Sequence, residues 1–512
     1  MRTPITVAAV DLGAESGRVT AVHFDGEQLE LSIAGRFANQ PRMSDGLLRW
    51  DFDGLWTSIR DGLGILARQP MPIASVGVDT WGVDYGLLDA AGSRVDDPVC
   101  YRDERGRRSL DRALAQVGAA RLYDATGVQI LSINALFGLM ADVADHPERL
   151  RAASKLLMMP DLFHHALSGA QVSEYTAVST SGAYDMTRNR WATELLDELG
   201  IPTALLPEVV DPGTDVGPLL PELATGALTG ARVIVPPGHD TASAVVATPF
   251  VDPGAVFISS GTWSLVGTEI PRAVVNEQTR AANLTNEGGY GGTIRLLRNV
   301  MGLWILQQCR RQWASAGTDL DYAQIADAAA AVPGLRSIID PDDPVFLAPG
   351  DMPSRVREYC AATGQPVPQS VGEIARCVVD SLALGYRAVV DDLAIATGSS
   401  PPSISIVGGG SNHRLLSQLT ADATGLPVHC GPVEGTALGN AAAQLVSLGE
   451  LDDVRQIRQV IAAGSPITTY LPFADRTASA RSSDWADALG RLHRLQRHEN
   501  SGRLSPAGDR TP

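Results

Sequence analysis

The chain has 512 residues, more than one hydrophobic core usually supports, so two domains are expected. Hydrophobic residues make up 44% of the chain and charged residues 19%, a balance that excludes disordered and fibrous proteins. The formal net charge of −17 argues against nucleic acid or an anionic membrane surface as a partner. No apolar run approaches the roughly 18 residues of a membrane span.

The cysteines and the single lysine narrow the class further. Five widely spaced cysteines indicate reduced thiols, as in a cytoplasmic enzyme, rather than a disulfide framework. Lys155 is the only lysine and lies far from any glycine-rich turn. Walker A loops and protein kinases are therefore excluded, because both need a lysine beside the nucleotide phosphates. A nucleotide site in this chain must use backbone N–H groups, hydroxyls, arginine and a metal.

Strand and helix patterns alternate through the first half of the chain. Short apolar runs predict strands, and apolar residues at helical spacing predict helices. Strands are predicted at 6–10, 17–24 and 30–37, and two more on either side of a turn within 73–89. A helix is predicted at 53–67, and further helices extend to about residue 170. At 236–247 a strand is expected to exit into a helix, with Asp240 near the helix start.

The second half begins again with strands. They are predicted at 255–260 and 403–407. Between them, Ser370 and Glu373 form a capping-box pattern that predicts the start of a long helix at 371–396. A glycine-rich turn and another helix follow the later strand.

The domain boundary is predicted near residues 246–254, where the segment PFVDPG at 249–254 breaks the pattern. The expected organisation is a first domain at 1–247, a second at 254–450, a partly helical extension at 451–497 and a disordered tail at 498–512. Residues 7–19 and 255–267 open the two domains alike, each with an apolar strand, a glycine turn that carries hydroxyls and a second strand. This repeat favours a duplicated α/β unit with a ligand cleft between the copies.

Three glycine-rich turns are candidates for phosphate binding. They lie at 11–18, 259–265 and 406–416. Each can present successive backbone N–H groups to an anion, and glycines such as Gly17 and Gly409 would let a phosphate approach the backbone closely. Asp11 could face a metal ion or its waters. An ordinary hairpin or a tight strand–helix turn has the same composition, so both interpretations stay open.

Asp240 is the candidate catalytic base. A carboxylate near a helix N-terminus is expected to stay ionised, which suits a residue that accepts a proton from a substrate hydroxyl. The alternative is that Asp240 only caps the helix. Its neighbour His239 is equally compatible with a packed, hydrogen-bonded histidine.

The segment 80–89 has the composition of a sugar-binding turn. It places Trp81, Gly82, Asp84 and Tyr85 together, and sugar sites combine an aromatic face with nearby acceptors for hydroxyls. A tryptophan of the hydrophobic core would give the same pattern. Farther along the chain, Asn299 and Gln307 are polar residues that could face a cleft.

Taken together, these segments resemble the FGGY family of carbohydrate kinases, and within it the branch that phosphorylates L-rhamnulose. The resemblance runs from about residue 5 to 448. The matching segments are 10–19, 77–89, 101–105, 156–163, 174–181, 239–245, 259–265, 283–289, 299–304, 380–386, 406–412 and 431–440. The sequences TWGVD, HDTASA, SSGTWSL and TNEGG carry the resemblance to that branch.

The resemblance implies two actin-like, ribonuclease H-like α/β domains with a nucleotide and sugar cleft between them. It implies ATP-dependent phosphorylation of L-rhamnulose to L-rhamnulose 1-phosphate in L-rhamnose degradation, with Mg²⁺. The implied catalytic base is Asp240, and Asp11 would hold the metal through water. The implied nucleotide contacts are Ala14, Glu15, Ser16, Gly17, Arg18, Thr262, Gln307 and Gly409. The implied sugar contacts are Gly82, His239, Asp240, Thr241 and Asn299.

Some features depart from the family or leave alternatives. Glu15 stands in the first phosphate turn, where relatives often carry a small polar residue, and it is expected to point outward. The family also includes members recorded with a disulfide that maps onto Cys360 and Cys377. The alternatives are a kinase of L-fuculose or L-xylulose, and a non-catalytic nucleotide-binding regulator. The regulator is disfavoured because Asp11 and Asp240 are both present and no basic segment follows.

Overall fold

The computed structural model describes residues 4–473 and 482–503, with side chains up to residue 497. These residues form two compact units. Unit 1 contains the described residues of Met1–Phe250 together with Thr268–Arg298 and Glu434–Pro466. Unit 2 contains Val251–Gly267, Asn299–Val433 and the described residues of Ile467–Pro512. The chain leaves unit 1 at Phe250, within the break at 249–254, and later returns to it at Thr268 and at Glu434.

Strands and helices alternate along the chain. The strands are β1 (Ile5–Leu12), β2 (Ser16–Phe24), β3 (Leu29–Ala38), β4 (Arg42–Ser44), β5 (Leu47–Arg49), β6 (Ile73–Thr80), β7 (Tyr85–Leu88), β8 (Lys155–Met158), β9 (Ser173–Glu174), β10 (Tyr184–Asp185), β11 (Arg190–Trp191), β12 (Val209–Val210), β13 (Asp215–Pro218), β14 (Arg232–Ile234), β15 (Val256–Ser260), β16 (Trp263–Ile270), β17 (Thr285–Gly288), β18 (Ile294–Met301), β19 (Ile404–Val407), β20 (Val428–Cys430) and β21 (Thr468–Tyr470). The helices are α1 (Phe52–Leu66), α2 (Arg105–Gln116), α3 (Gly118–Thr126), α4 (Ala135–Asp145), α5 (Pro147–Ala152), α6 (Met159–Ser168), α7 (Tyr175–Val178), α8 (Thr193–Glu198), α9 (Asp240–Val246), α10 (Glu277–Ala281), α11 (Trp304–Ser315), α12 (Tyr322–Ala330), α13 (Met352–Ala362), α14 (Val371–Thr397), α15 (Arg414–Thr424), α16 (Gly435–Ser447), α17 (Val454–Gly464) and α18 (Ser482–Arg503).

The main sheet of unit 1 has the order β13-β14-β6-β1-β2-β3. β1 pairs antiparallel with β2 and parallel with β6, and β14 pairs parallel with β6. Residues 7–10 of β1 form an apolar run because helices cover both faces of the sheet. Ala8, Val10 and Leu12 pack in a core with residues of α1, whereas Val7 and Ala9 pack against α16 and α17. A continuous apolar run is what a strand buried on both faces requires.

The sheet of unit 2 has the same local arrangement. β15 pairs antiparallel with β16 and parallel with β19, as β1 does with β2 and β6. β20 pairs parallel with β19, and β21 pairs antiparallel with β20. The internal repeat inferred from the two opening segments is confirmed in this respect, since each unit starts from an antiparallel hairpin with a parallel neighbour.

The long helix of unit 2 confirms the capping-box prediction. In α14 the Ser370 hydroxyl accepts from the Glu373 amide, and the Glu373 carboxylate accepts from the Ser370 amide. These bonds satisfy N–H groups that the helix itself leaves open. The helix ends at Gly398, which has a φ of 68° as a left-handed C-cap.

The C-terminal predictions are only partly within the described chain. α18 is helical to Arg503, past the predicted start of the tail at 498, and the remaining tail residues 504–512 lie outside the described residues, as do residues 474–481 of the extension. None of the described helices combines the length and apolar character needed to cross a bilayer. The five cysteines, all in the described part of the chain, are buried free thiols.

Candidate active site

A row of charged side chains crosses the main sheet of unit 1 where β1 ends. The strand register places Arg18 opposite Asp11 on one side and Asp79 beside Asp11 on the other. Arg18 donates from Nε to Asp11 Oδ2 at 2.9 Å, and its Nη1 donates to Glu434 just before α16. Arg18 thus links two carboxylates instead of standing free, a placement that the sequence does not indicate.

Asp79 is the most deeply buried carboxylate of this row. Its Oδ2 accepts from Asn440 Nδ2 at 2.6 Å, and Asn440 in turn accepts from Gln444 at 2.7 Å. Among the described residues its Oδ1 is buried and has no hydrogen-bond partner. Burial, and next the Asp11 charge, raise the pKa of Asp79 well above its usual range. A negatively charged group held here would be stabilised by a cation.

Asp240 is the first residue of α9, and His239 is the N-cap residue. The Asp240 Oδ1 accepts from the adjacent Thr241 amide at 2.6 Å, not from an amide two or three residues on, so the capping interpretation of Asp240 is wrong. Thirty per cent of the Asp240 side chain is exposed. Its surroundings nevertheless desolvate it, and this burial, opposed by His239 and assisted by Asp11, raises the pKa of Asp240. From the sequence, the helix N-terminus is expected to keep Asp240 ionised and so to lower its pKa. The pKa is raised instead, because desolvation outweighs the effect of the helix end.

His239 lies between Asp240 and the predicted sugar turn. Its Nε2 is 3.4 Å from Asp240 Oδ1. A Cβ at position 82 would lie 3.2 Å from the same Nε2 and 3.0 Å from Thr180 Oγ1, so a side chain there would crowd the His239 ring. The other ring nitrogen, Nδ1, is 3.3 Å from Glu287 Oε2. Four of the predicted sugar-site residues, Gly82, His239, Asp240 and Thr241, are therefore gathered in one place.

The turn from Thr80 to Asp84 is held in a strained conformation. Val83 has a φ of 68°, which is unfavourable for a β-branched residue, and its amide donates to Thr180 Oγ1 at 2.9 Å. Thr80 donates from its amide to the Gly238 carbonyl, and Trp81 donates to the Leu12 carbonyl. These bonds join the turn to the end of β1 and to the residue before His239. Strain maintained by several hydrogen bonds is typical of functional turns.

Asp84 anchors two tryptophans behind this turn. Its Oδ2 accepts from Trp50 Nε1 at 2.6 Å and from Trp81 Nε1 at 2.8 Å. Burial raises the pKa of Asp84 to about 7, although the two indole bonds oppose the shift. Trp81 is 5% exposed, so it packs in the core, as the alternative interpretation held. Asp84 lines a small pocket together with Val83 and Asn134.

The first predicted phosphate turn, Ala14–Arg18, closes the β1–β2 hairpin. Gly13 donates from its amide to the Ser16 carbonyl at 2.9 Å. A Cβ at Gly17 would lie 2.4 Å from Phe37 and 2.6 Å from Leu12. The absence of a side chain at Gly17 is thus required by packing inside the protein, whether or not a phosphate approaches it.

Unit 2 contains the other predicted nucleotide residues. Thr262 Oγ1 lies 3.5 Å from Gln307 Oε1, so these two are neighbours. Gly409 is exposed, and a Cβ there would meet nothing within 4 Å. Next to it, Gly410 packs so closely on Ser260 that no side chain fits. The turns at 259–265 and 406–416 therefore lie together. Asn299, predicted as a sugar contact, is half-buried in this unit at the end of β18.

Sequence reasoning missed several charged or polar residues of the site. They are Asp79, Glu287, Arg295, Glu434 and Asn440. Asp79, Glu287, Glu434 and Asn440 occur in segments that carry the family resemblance, yet no local pattern distinguishes them. Their roles depend on strand register and on the return of distant segments to unit 1.

Both halves of the chain match one family of phosphotransferases. The N-terminal domain of the FGGY family of carbohydrate kinases matches residues 6–247, and its C-terminal domain matches residues 256–448. The chain therefore belongs to the FGGY family of carbohydrate kinases. This confirms the resemblance found in the sequence and identifies the chain as an ATP-dependent sugar kinase.

Named relatives are similar over nearly the whole chain. A rhamnulokinase of Bacteroides thetaiotaomicron is 41% identical over 465 residues, which are 91% of this chain and 95% of that protein. A rhamnulokinase of Pectobacterium carotovorum subsp. carotovorum is 40% identical over 501 residues, which are 97% of each chain.

Solved structures confirm the predicted fold class of two α/β domains. A xylulose kinase of Lactobacillus acidophilus has a TM-score of 0.78 at 16% identity, over 98% of this chain and 100% of that one. The Plasmodium falciparum glycerol kinase with ADP has a TM-score of 0.75 at 14% identity, over 95% and 98%. At such low identity the likeness concerns the fold alone.

Proposed function

We propose that this protein transfers the γ-phosphoryl group of ATP to L-rhamnulose, giving L-rhamnulose 1-phosphate and ADP. Relatives named rhamnulokinase at 40% and 41% identity support the choice of sugar. The observation that carries the proposal is the placement of Asp240 beside His239, whose Nε2 also lies next to Gly82. A proton acceptor and a neighbouring polar ring then face the same small region.

Asp240 acts as the general base in this proposal. The sugar hydroxyl loses its proton to the Asp240 carboxylate as its oxygen forms a bond to the γ-phosphorus, and the bond from that phosphorus to the bridging oxygen breaks to release ADP. A pKa raised by burial improves Asp240 as a proton acceptor, provided that the carboxylate is ionised when the sugar binds. Its partly exposed edge gives the hydroxyl access.

The phosphates would be bound without lysine. The turn at Ala14–Arg18, with Glu15, Ser16 and Gly17 between them, would contact the nucleotide in unit 1. In unit 2, Thr262 and Gln307 would contact the nucleotide through their side chains and Gly409 through its backbone. The sugar would be bound by Gly82, His239 and Thr241, and in unit 2 by Asn299.

The carboxylate row fits a divalent cation held through water. The Asp79 Oδ1 has no hydrogen-bond partner in the described part of the chain, and the Asp11 charge helps to raise the pKa of both Asp79 and Asp240, which indicates a local excess of negative charge. No group of three acidic, histidine or cysteine side chains among the described residues could coordinate a metal directly. Mg²⁺ suits such a site, because it keeps several waters and binds few carboxylates. When bound with ATP, Mg²⁺ would neutralise phosphate charge, with Asp11 and Asp79 fixing its waters.

The test is an ADP-release assay with ATP, Mg²⁺ and a panel of L-rhamnulose, L-fuculose, L-xylulose, D-xylulose and glycerol. We expect the highest kcat/KM for L-rhamnulose, with L-fuculose second. Xylulose or glycerol clearly ahead would refute the proposed sugar while leaving the kinase family intact. ATP binding without turnover of any sugar would favour the non-catalytic regulator.

A further inference from the structure

The β17–β18 hairpin of unit 1 carries a buried ion pair. Glu287 and Arg295 are directly opposite each other in the antiparallel register. Arg295 Nη2 lies 3.2 Å from Glu287 Oε2, with side-chain exposures of 0% and 3%. Arg295 Nε also donates to the Gly288 carbonyl at 2.8 Å, which fixes the guanidinium on the hairpin. Both charges are thus held rigidly away from solvent.

Such a pair is a weak source of stability. Removing two charges from water is costly, and the attraction between them often does not recover that cost. Burial lowers the pKa of Arg295, which records the same cost. Structural pairs of this kind exist in many proteins, so burial alone does not indicate a function. The third partner of this pair is more informative.

That partner is the ring of His239. Its Nδ1 lies 3.3 Å from Glu287 Oε2 and 3.3 Å from Arg295 Nη2. The His239 amide donates to Thr176 Oγ1 at 3.1 Å, so the backbone is fixed as well. Both contacts of the ion pair are to Nδ1. The opposite atom, Nε2, is the one near Asp240 and Gly82.

We propose that Glu287 and Arg295 are positioning residues for the sugar, which hold the His239 ring by Nδ1 so that Nε2 faces the sugar hydroxyls beside Asp240. The inference rests on the proposed function, since it needs a sugar at this site. It goes beyond that function because neither residue is among the proposed sugar contacts.

The physical reason is the freedom of an imidazole. The outer side-chain torsion of histidine has broad, roughly two-fold preferences, so a ring without partners can turn over and exchange its nitrogen and carbon edges. A carboxylate and a guanidinium on Nδ1 select one of these orientations. If the ring is free to turn over, only part of the protein population has Nε2 placed to bond the sugar, and sugar binding is weaker. Nucleotide binding does not depend on this bond.

The central test is the variant Glu287→Gln, which keeps the size of the side chain and removes its charge. We measure KM for the ketose that the wild-type enzyme uses best and KM for ATP, each at saturation of the other substrate. The expected result is a rise of about tenfold or more in the KM for sugar, with the KM for ATP within about twofold of wild type. A purely structural defect would not separate the two constants.

A double-mutant cycle tests whether Glu287 acts through His239. The variant His239→Asn removes Nε2 and should itself raise the KM for sugar. Adding Glu287→Gln to it should then have little further effect, because the ring to be positioned is gone. Fully additive increases would overturn the proposal.

Asp380→Asn is the matched control, because it breaks a buried ion pair outside the site. Asp380 is 1% exposed and accepts from Arg376 Nε at 2.9 Å on α14 in unit 2. It should lose stability without separating the two KM values. If Glu287→Gln does not fold, Arg295→Lys keeps a buried cation without the planar fork and should still raise the KM for sugar. An unchanged KM in that folded variant also overturns the proposal.

The two proposals fail in different ways. A wild-type protein that phosphorylates no ketose refutes the proposed function. A wild-type protein that phosphorylates any ketose, with an unchanged sugar KM in Glu287→Gln, refutes only the positioning role.

Discussion

Asp240 has two properties that a helix cap does not need. It is desolvated enough that its pKa is raised, and it has a partly exposed edge. The variant Asp240→Asn keeps the shape and the acceptor for the Thr241 amide, but an amide cannot take the hydroxyl proton. We expect a folded protein that still binds ATP, with kcat lower by about 10² to 10⁴, or roughly 3 to 5 kcal/mol of barrier. Calorimetric ATP titration and steady-state turnover measure the two effects.

A suitable control is Asp53→Asn, since Asp53 is also an acidic residue in a first helical turn but belongs to α1, outside the site. Its turnover should equal that of wild type. If Asp240→Asn keeps more than about a tenth of wild-type turnover, which is well short of the loss expected for a base, then the base must be sought at Asp11 or Asp79.

Asp84 makes the stability of unit 1 depend on pH. Burial raises its pKa to about 7 in the folded protein, whereas an unfolded aspartate ionises near pH 4. Between these values only the unfolded chain has released the proton, so rising pH favours unfolding by roughly 1.4 kcal/mol per unit. The stabilisation is complete below about pH 4 and is lost by about pH 7.

The variant Asp84→Asn cannot titrate but keeps a carbonyl oxygen for the two indoles. Its free energy of unfolding, relative to wild type, should therefore rise from pH 5 to pH 7 by roughly 2 to 3 kcal/mol. Urea denaturation followed by tryptophan fluorescence at several pH values measures the difference. A difference that does not change with pH would show that Asp84 is ionised in the fold throughout.

Only part of the site can be predicted from single residues. Asp240 stands out because it lies at a predicted helix start, and Gly82 because it lies in a turn with an aromatic residue and polar neighbours. Asp79 does not, because its importance comes from the parallel register that places it beside Asp11. Glu287 likewise acquires its partner only when β17 and β18 pair and approach His239. Such contacts depend on long-range packing, which a local pattern does not contain.

At the scale of elements, the two glycine turns differ although their sequences predict the same role. A side chain at Gly17 would collide with Phe37 and Leu12. Gly17→Val is therefore expected to lose about 1 to 3 kcal/mol of stability, independently of any effect on ATP binding. Gly409 has open space and is the informative position. Gly409→Val should weaken ATP binding by about tenfold or more, because the β-branched side chain blocks the backbone, with the KM for sugar unchanged.

Gly464→Val is the control for Gly409→Val. Gly464 ends α17 in unit 1, is exposed and has equally open surroundings. Its ATP affinity, measured by titration calorimetry, should match wild type. An unchanged affinity in Gly409→Val would remove the 406–416 turn from the nucleotide site.

Most of the longer strands and helices can be predicted from the sequence. The strands predicted at 6–10 and 17–24 are β1 and β2, and the helix predicted at 53–67 is α1, each within two residues of its predicted ends. The signal is strong because both faces of these strands, or one face of the helix, are buried. Short strands such as β9 and β12 contain two residues each and carry no periodicity to detect.

At the scale of the whole molecule, the linear order of domains differs from the compact units. The family domain at 6–247 coincides with most of the first segment of unit 1. Unit 1 also includes Glu434–Pro466, which forms α16 and α17. α16 supplies Leu438 and Leu445, and α17 supplies Ile457, to a core shared with β1, β2 and α9. The sequence does not show that residues 434–466 pack in unit 1, because the apolar face of an amphipathic helix does not specify which element it packs against.

The fragment 1–250 should therefore not fold by itself. Without α16, the face of β1 that carries Val7 and Ala9 is open to water, and Asp79 loses the Asn440 amide. Each fully exposed large apolar residue costs about 1.5 to 3 kcal/mol, which is a large part of the 5 to 15 kcal/mol that stabilises a typical domain. We expect a broad, non-cooperative thermal transition by circular dichroism. Adding the peptide 434–466 should restore cooperativity, since it returns both the apolar side chains and Asn440. A fragment 1–250 that melts cooperatively without the peptide would show that the first segment is an independent domain after all.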